Sequence, residues 1–320
     1  MDKIPLVSFG LPAYKGAHFR EALESIKAQT ITNFEVMVQD DASPEDLKSI
    51  FDDVCANDPR FMYARNEKGT APDFVKNWDI TLRKARGEFF VLASDDDIYE
   101  PFFIEHLLSL ARKFPNVDIF NGRYNRFNDS GVCGVLAKPA EFETQVECMY
   151  AMTCERRYPI APNVMVRTSA LRNIGGFVDL PGATASDYLT WLKLARNGFV
   201  SSSNVLLHWR FDGSSVTSCK SSYWVEQKIK AMKLARPIWK ELCNSLTPLD
   251  DNEKFQVSKI HDLIENRYED WMIAPLMGNA PIGIFWPFLW GRFRRGRMSW
   301  RRLLFVLFKL VVTAGRVRIW

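Results

Sequence analysis

Several common signatures are missing from this 320-residue sequence, and each absence narrows what it can do. There is no GxxxxGK[ST] loop, and no GxGxxG follows the first apolar run, which argues against a P-loop enzyme or a dinucleotide-binding dehydrogenase. A nucleotide bound here would need a metal ion to neutralise its phosphates. The six cysteines include no CxxC pair and the four histidines do not cluster, so the thiols are read as free, in a reducing compartment. The first residues, MDKIPLVSFGLPAY, lack a charged segment followed by a long apolar one, so no signal peptide is apparent. No acidic residue follows Asp270.

What is present is the composition of a globular chain. Hydrophobic residues make up 47% and charged residues 25%, and the length allows one large domain or two smaller ones. The net charge of +4 is too small to point to nucleic acid, but it is unevenly spread. Nine cations lie beyond Asp270 (Arg292, Arg294, Arg295, Arg297, Arg301, Arg302, Lys309, Arg316 and Arg318), which leaves −5 on the chain before them. This split suggests a folded acidic body and a tail that meets something anionic.

Apolar runs at Leu6–Leu11, Phe34–Gln39, Phe61–Ala64 and Phe89–Ala93 read as strands. Amphipathic stretches between and after them, at 19–26, 45–56, 73–85 and 101–113, read as helices. Four such alternations within about 115 residues predict an α/β fold, a Rossmann-like, mainly parallel sheet with helices on both faces. In such sheets ligands bind where strands end, and the loops at 12–16, 40–44 and 94–97 all follow strands. Residues 118–170 are less regular, 187–197 read as an amphipathic helix, and 222–243 and 252–273 as further helices. The expected organisation is a domain over 1–220, a C-terminal helical extension over 221–283 and a basic, aromatic tail over 284–320.

Two of the strand-ending loops carry adjacent carboxylates, Asp40-Asp41 and Asp95-Asp96-Asp97. Neighbouring carboxylates raise one another's pKa unless a cation relieves them. A hard divalent ion held by one or two carboxylates and substrate phosphates would do so. Helix capping is the alternative for any single aspartate.

These residues together resemble family 2 glycosyltransferases. Pro5–Tyr14 is similar to that family's opening strand, and Phe19–Thr30 with Asn33–Val36 is similar to the same opening region. Asp40-Asp41-Ala42-Ser43 resembles the family's Asp-Asp-Gly-Ser, and Ala85-Arg86-Gly87-Glu88-Phe89 its Ala-x-Gly-Glu-Tyr. Ser94-Asp95-Asp96-Asp97 resembles its metal motif, with Ser94 where many members have Asp. Gly175-Gly176-Phe177 and Ser186-Asp187-Tyr188 resemble the stretch around its catalytic base. The match spans roughly 4–217. The resemblance implies a GT-A fold, a nucleotide-sugar donor (UDP by family habit), Mn²⁺ or Mg²⁺, and inversion at the anomeric carbon. It implies that Pro12 and Tyr14 line the base site and that Asp41 hydrogen-bonds the base. Asp95 would contact the ribose or the metal's surroundings, Asp96 or Asp97 would hold the metal, and Asp187 would be the general base. Lys76 and Asn77 lie on a helix from which they could reach the phosphates, with a solvated helix face as the alternative. His208 reads as structural, with Asp212 in the place where the family often carries a histidine.

The tail interleaves Trp286, Trp290, Trp300 and Trp320 with arginines. Its apolar stretch Leu303–Val312 is too short for the roughly 20 residues of a membrane span. An arginine- and tryptophan-rich segment suits an anionic membrane surface instead, with packing on the body or contact with nucleic acid as alternatives and no nucleic acid as the preferred reading. The expectation is a cytoplasmic enzyme peripheral on the inner face of the plasma membrane, acting on a lipid-linked oligosaccharide acceptor in surface-polysaccharide synthesis. The competing functions are a nucleotidyltransferase and a non-catalytic membrane adaptor with a degenerate transferase body.

Overall fold

The computed structural model describes residues 4–296 except Leu136, Tyr158, Asp212, Ser214, Ser215, Thr217, Ala280 and Pro281. The chain begins with β1 (Val7–Ala13), α1 (Phe19–Lys27), β2 (Phe34–Asp40), α2 (Leu47–Cys55), β3 (Phe61–Arg65), α3 (Phe74–Lys84) and β4 (Phe89–Leu92). It continues through β5 (Ile98–Tyr99), α4 (Phe103–Lys113), β6 (Ile119–Asn128), β7 (Gly131–Val135), β8 (Phe142–Glu143) and α5 (Gln145–Thr153). A 3-10 turn (Ala161–Asn163) leads into β9 (Val164–Arg167), followed by α6 (Thr168–Asn173), α7 (Ser186–Leu194) and β10 (Phe199–Arg210). Three long helices close the described chain: α8 (Ser222–Asn244), α9 (Asp251–Asn266) and α10 (Ile282–Arg294).

The strands form one sheet in the order β3-β2-β1-β4-β9-β6-β10-β5. β3, β2, β1 and β4 run parallel, and β2 is buried along its whole length, as a strand covered on both faces must be. The expected α/β fold is therefore present, in a mixed sheet whose parallel half is the one legible from periodicity. The irregular stretch 118–170 supplies β6 and β9 of the other half: β9 runs antiparallel to β4 and to β6, and β6 runs parallel to β10. Two reversals restore direction, so β1, β2, β4, β6 and β10 all end on the same edge.

Small residues let the layers approach. A Cβ on Gly10 would collide with the Thr81 hydroxyl of α3, and one on Gly87 would lie 2.7 Å from the backbone nitrogen of Ser8. At Gly87 the backbone N–H donates to the Ser8 hydroxyl, which in turn donates to buried Glu35 at 2.6 Å.

The helical extension shares the core of the body. Trp224 of α8 stacks on Phe74 with centroids 5.5 Å apart, and Trp239, Ile260 and Trp271 are buried with the sheet residues in one cluster. The first part of the tail is packed too. Phe285 and Leu289 of α10 are buried, Arg292 pairs with Asp270, and Arg295 pairs with Glu269 at 2.6 Å. Two of the tail's cations are thus neutralised by the body, while Trp290 stays 45% exposed under Arg294. Residues 297–320, with Leu303–Val312 among them, lie outside the described residues. Among the described residues no helix is long and apolar enough to cross a membrane. All six cysteines are unpaired.

Candidate active site

Three loops meet at the shared edge. The turn after β4 is clamped to the loop after β1, because Asp95 Oδ2 accepts the backbone N–H groups of Tyr14 (2.7 Å) and Lys15 (2.8 Å). Burial and then the charge of Asp96 push the Asp95 carboxyl up to about 6, while those two N–H groups and the Lys15 ammonium pull it down. Asp96 is half-buried. Its Oδ2 lies 3.3 Å from the Lys15 ammonium, and the Ser94 hydroxyl donates to its Oδ1. Asp97 is turned the other way: it is fully buried and accepts the backbone N–H of Arg210 at 2.8 Å. Burial first, then Asp96, raises its pKa well above the carboxylate range.

Arg210, to which the sequence alone gave no role, fixes this turn from behind. Its Nε donates to the Asp96 carbonyl (2.9 Å) and its Nη2 to Glu21 (2.6 Å), and its guanidinium stacks on Phe127. The two ring nitrogens of His208 lie 2.7 Å from Asn125 Oδ1 and 2.6 Å from Glu100 Oε1. That is the structural histidine expected. Asp212 lies outside the described residues.

The end of β2 supplies the third loop. Asp41 is buried and accepts from the Asn66 amide (2.9 Å), the Thr70 N–H (3.0 Å) and the Thr70 hydroxyl (2.8 Å). Asp40 accepts from Tyr63, Arg65 and the Ser43 N–H. Ser43 donates to the Tyr14 carbonyl at 2.5 Å, so the β1 and β2 loops are also tied. Pro12 sits opposite Gln39 in the ladder, and the Tyr14 ring is 52% exposed beside it. Ala42, where the resembling motif has glycine, adopts φ 57°, the left-handed conformation that glycine takes without penalty. Lys76 is not drawn into this cluster. It stands exposed on α3, 2.6 Å from Asp73, whereas its neighbour Asn77 is buried between Asn66 and the Gln39 carbonyl. Asn66 and Thr70 were missed because nothing in an irregular loop marks which side chain turns inward.

Asp187 comes to the same edge by a different route. β9 is antiparallel to β4, with Val91 opposite Met165, so the 3-10 turn before β9 emerges where β4 ends. Asp187 accepts a backbone hydrogen bond from Ala161 in that turn and another from Tyr188 at 2.9 Å. Asp187 is half-buried. Burial pushes it up to about 7 against those N–H groups. A carboxylate tuned to that range can hold or accept a proton at neutral pH. The backbone that delivers it is strained, since Ala183 (φ 51°) and Ala185 (φ 66°) are both left-handed just before α7.

The donor set of this edge fits a hard divalent ion. Asp95 and Asp96 are adjacent, burial and then the Asp96 charge raise the Asp95 carboxyl, and the Lys15 ammonium lies beside Asp96. Among the described residues no three His, Cys, Asp or Glu side chains converge, so one or two carboxylates would be the protein's share and diphosphate oxygens the rest.

Comparison with known proteins agrees with this architecture. The family model described as glycosyl transferase family 2 matches residues 8–175. An uncharacterised glycosyltransferase of Rickettsia felis is 31% identical over 60% of this chain and 32% of its own length. The chain spans about a third of the length of the first curated relatives it matches. A second relative, from Escherichia coli, is the UDP-Glc:alpha-D-GlcNAc-diphosphoundecaprenol beta-1,3-glucosyltransferase WfgD, 26% identical over 67% of this chain and 81% of that protein. Among solved structures, S. aureus TarS in complex with UDP-GlcNAc superposes with a TM-score of 0.62 at 18% identity, over 86% of this chain and 81% of that one.

Proposed function

The chain belongs to glycosyl transferase family 2, and from that premise we propose that it moves a sugar, with inversion, from a nucleoside-diphosphate donor to a hydroxyl of a lipid-linked glycan. The observation that carries the reading is Asp187, a carboxylate held near neutrality on the edge where Asp95 and Asp96 stand. WfgD, whose name gives a UDP-sugar donor and a diphosphoundecaprenol-linked acceptor, supports both substrate classes. TarS, solved with UDP-GlcNAc, supports a UDP donor.

Pro12, Tyr14 and the Asp41 loop would receive the nucleoside, and Asp95 the ribose. Asp96 would hold Mn²⁺ or Mg²⁺, which supplies Lewis-acid neutralisation of the leaving diphosphate when bound. Asp97, committed to the Arg210 backbone, is not part of that set in this reading. The Lys15 ammonium, already at Asp96, would add a fixed charge against the diphosphate. Asp187 would take the proton of the acceptor hydroxyl as its oxygen attacks from the face opposite the leaving group, a contribution on the order of 10²–10⁴ in rate. Peripheral placement on the inner membrane face, with the acceptor embedded there, suits the cations beyond Arg295. The test is transfer and hydrolysis of UDP- and GDP-sugars with Mn²⁺ by the wild type, Asp96→Ala and Asp187→Asn. Turnover that survives both substitutions defeats the reading.

A further inference from the structure

The two faces of β10 carry different chemistry. His208 and Arg210 point to one face, where they meet Glu100, Asn125 and Glu21. Alternation along the strand puts Trp209 and Phe211 on the other, beside Tyr124 and Arg126 of β6, with Trp209 opposite Arg126 in the ladder. The Tyr124 and Trp209 rings meet edge to face at 6.0 Å, and Trp209 and Phe211 lie 5.4 Å apart at 53°. The Arg126 guanidinium sits 5.4 Å from the Trp209 ring and 5.8 Å from that of Phe211. Phe211 is 43% exposed at the end of the strand.

This shelf stands near the ends of β6 and β10, on the edge that carries the candidate active site. On one side, the charge of Asp187 reaches the Tyr124 hydroxyl and helps raise its pKa, after burial. On the other, Arg210, between the two shelf aromatics in sequence, holds Asp97 with its backbone N–H. An acceptor presenting a hydroxyl to Asp187 therefore lays its body near these rings.

We infer that Trp209, Phe211 and Arg126 seat a pyranose ring of the acceptor glycan, an inference that rests on the transferase reading above. Aromatic faces carry negative quadrupole charge and attract the electropositive C–H face of a sugar, while a guanidinium at the rim donates to its hydroxyls. An alkyl chain would call for an apolar wall, and a guanidinium across both rings is wrong for that.

The probe is GlcNAc joined through diphosphate to a short alkyl chain, with the same alkyl diphosphate lacking the sugar as its control. Saturation-transfer NMR, with UDP present, reads the contact of the sugar ring protons with the protein. The expected result is strong transfer to the sugar in the wild type, lost in Phe211→Ala and Trp209→Ala and retained in Phe211→Trp. The acceptor KM should rise at least tenfold in the alanine variants, while thermal shift by UDP stays that of the wild type. Phe211 is exposed, so its truncation leaves the core intact. An unchanged KM in Phe211→Ala overturns the inference. So does an equal loss of affinity for the sugar-free control, which would make the shelf a lipid or diphosphate seat. A wild type that binds UDP but no sugar defeats the shelf alone, whereas one that binds neither defeats the transferase reading with it.

Discussion

The Lys15 ammonium lies 3.3 Å from the Asp96 carboxylate, on a loop whose backbone N–H groups hold Asp95. One lysine thus sits at the carboxylate a divalent ion would take. The pair is partly exposed, so its strength is about 0.5–1 kcal/mol. Lys15→Met should therefore bind Mn²⁺ about two- to five-fold more tightly in the absence of nucleotide, and UDP more weakly in the absence of Mn²⁺. Isothermal titration of each ligand alone measures both, and a lysine that merely decorates the loop would move neither.

As the proposed base, Asp187 would link pH to rate. Its carboxyl is pushed up to about 7, and a base works only when deprotonated, so kcat/KM should rise with pH and level off above about 7. Asp187→Asn should lower kcat by about 10²–10⁴ and remove that limb of the profile. Steady-state kinetics from pH 5 to 9 decide it.

The same residue links pH to stability with the opposite benefit. A carboxyl whose folded pKa (about 7) exceeds its ordinary 3.8 binds more protons folded than unfolded between those values. Stability therefore falls as pH rises across that window, and above it the folded state carries the full cost of the charge. Asp187→Asn should melt a few degrees above the wild type at pH 8, with the gain gone below about pH 4. Calorimetry at both pH values checks the sign.

Ala42 stands at φ 57° between the Asp41 and Ser43 anchors. Left-handed backbone costs an L-residue about 1–2 kcal/mol, part of which glycine returns as unfolded-state entropy. Ala42→Gly should stabilise by up to about 1 kcal/mol with unchanged kinetics, as read by urea unfolding.

Arg210 is buried and makes charged hydrogen bonds to Glu21 and to the Asp96 carbonyl. Arg210→Met should destabilise by about 1–3 kcal/mol and should weaken Mn²⁺ binding, because the turn carrying Asp96 loses its brace. Unfolding and metal titration report the two effects separately.

Periodicity made the parallel half of the sheet readable, since β1 to β4 alternate with amphipathic helices and β1, β2 and β4 are buried on both faces. It could not reveal β6 and β10, where Asn121, Asn125, Ser201 and Ser202 are buried polar residues inside strands and break the apolar signal, nor β9, which is only four residues long. The carboxylate clusters were visible because their strand-ending positions were. Which aspartate points where was not: Asp97 and Asp96 are identical in sequence terms, and only the β10 backbone next to Asp97 separates them. The left-handed backbone at Ala42, Ala183 and Ala185 was equally hidden, because alanine carries no mark of positive φ.

β9, the one strand between β4 and β6 and reversed against both, is a seam. The loops carrying Tyr14, Asp41 and Asp95 hang from the strands on one side of it, and the shelf of β6 and β10 from those on the other. On the proposed reading, changes confined to the far bank would alter what is glycosylated and leave the near bank, with the donor, as inherited.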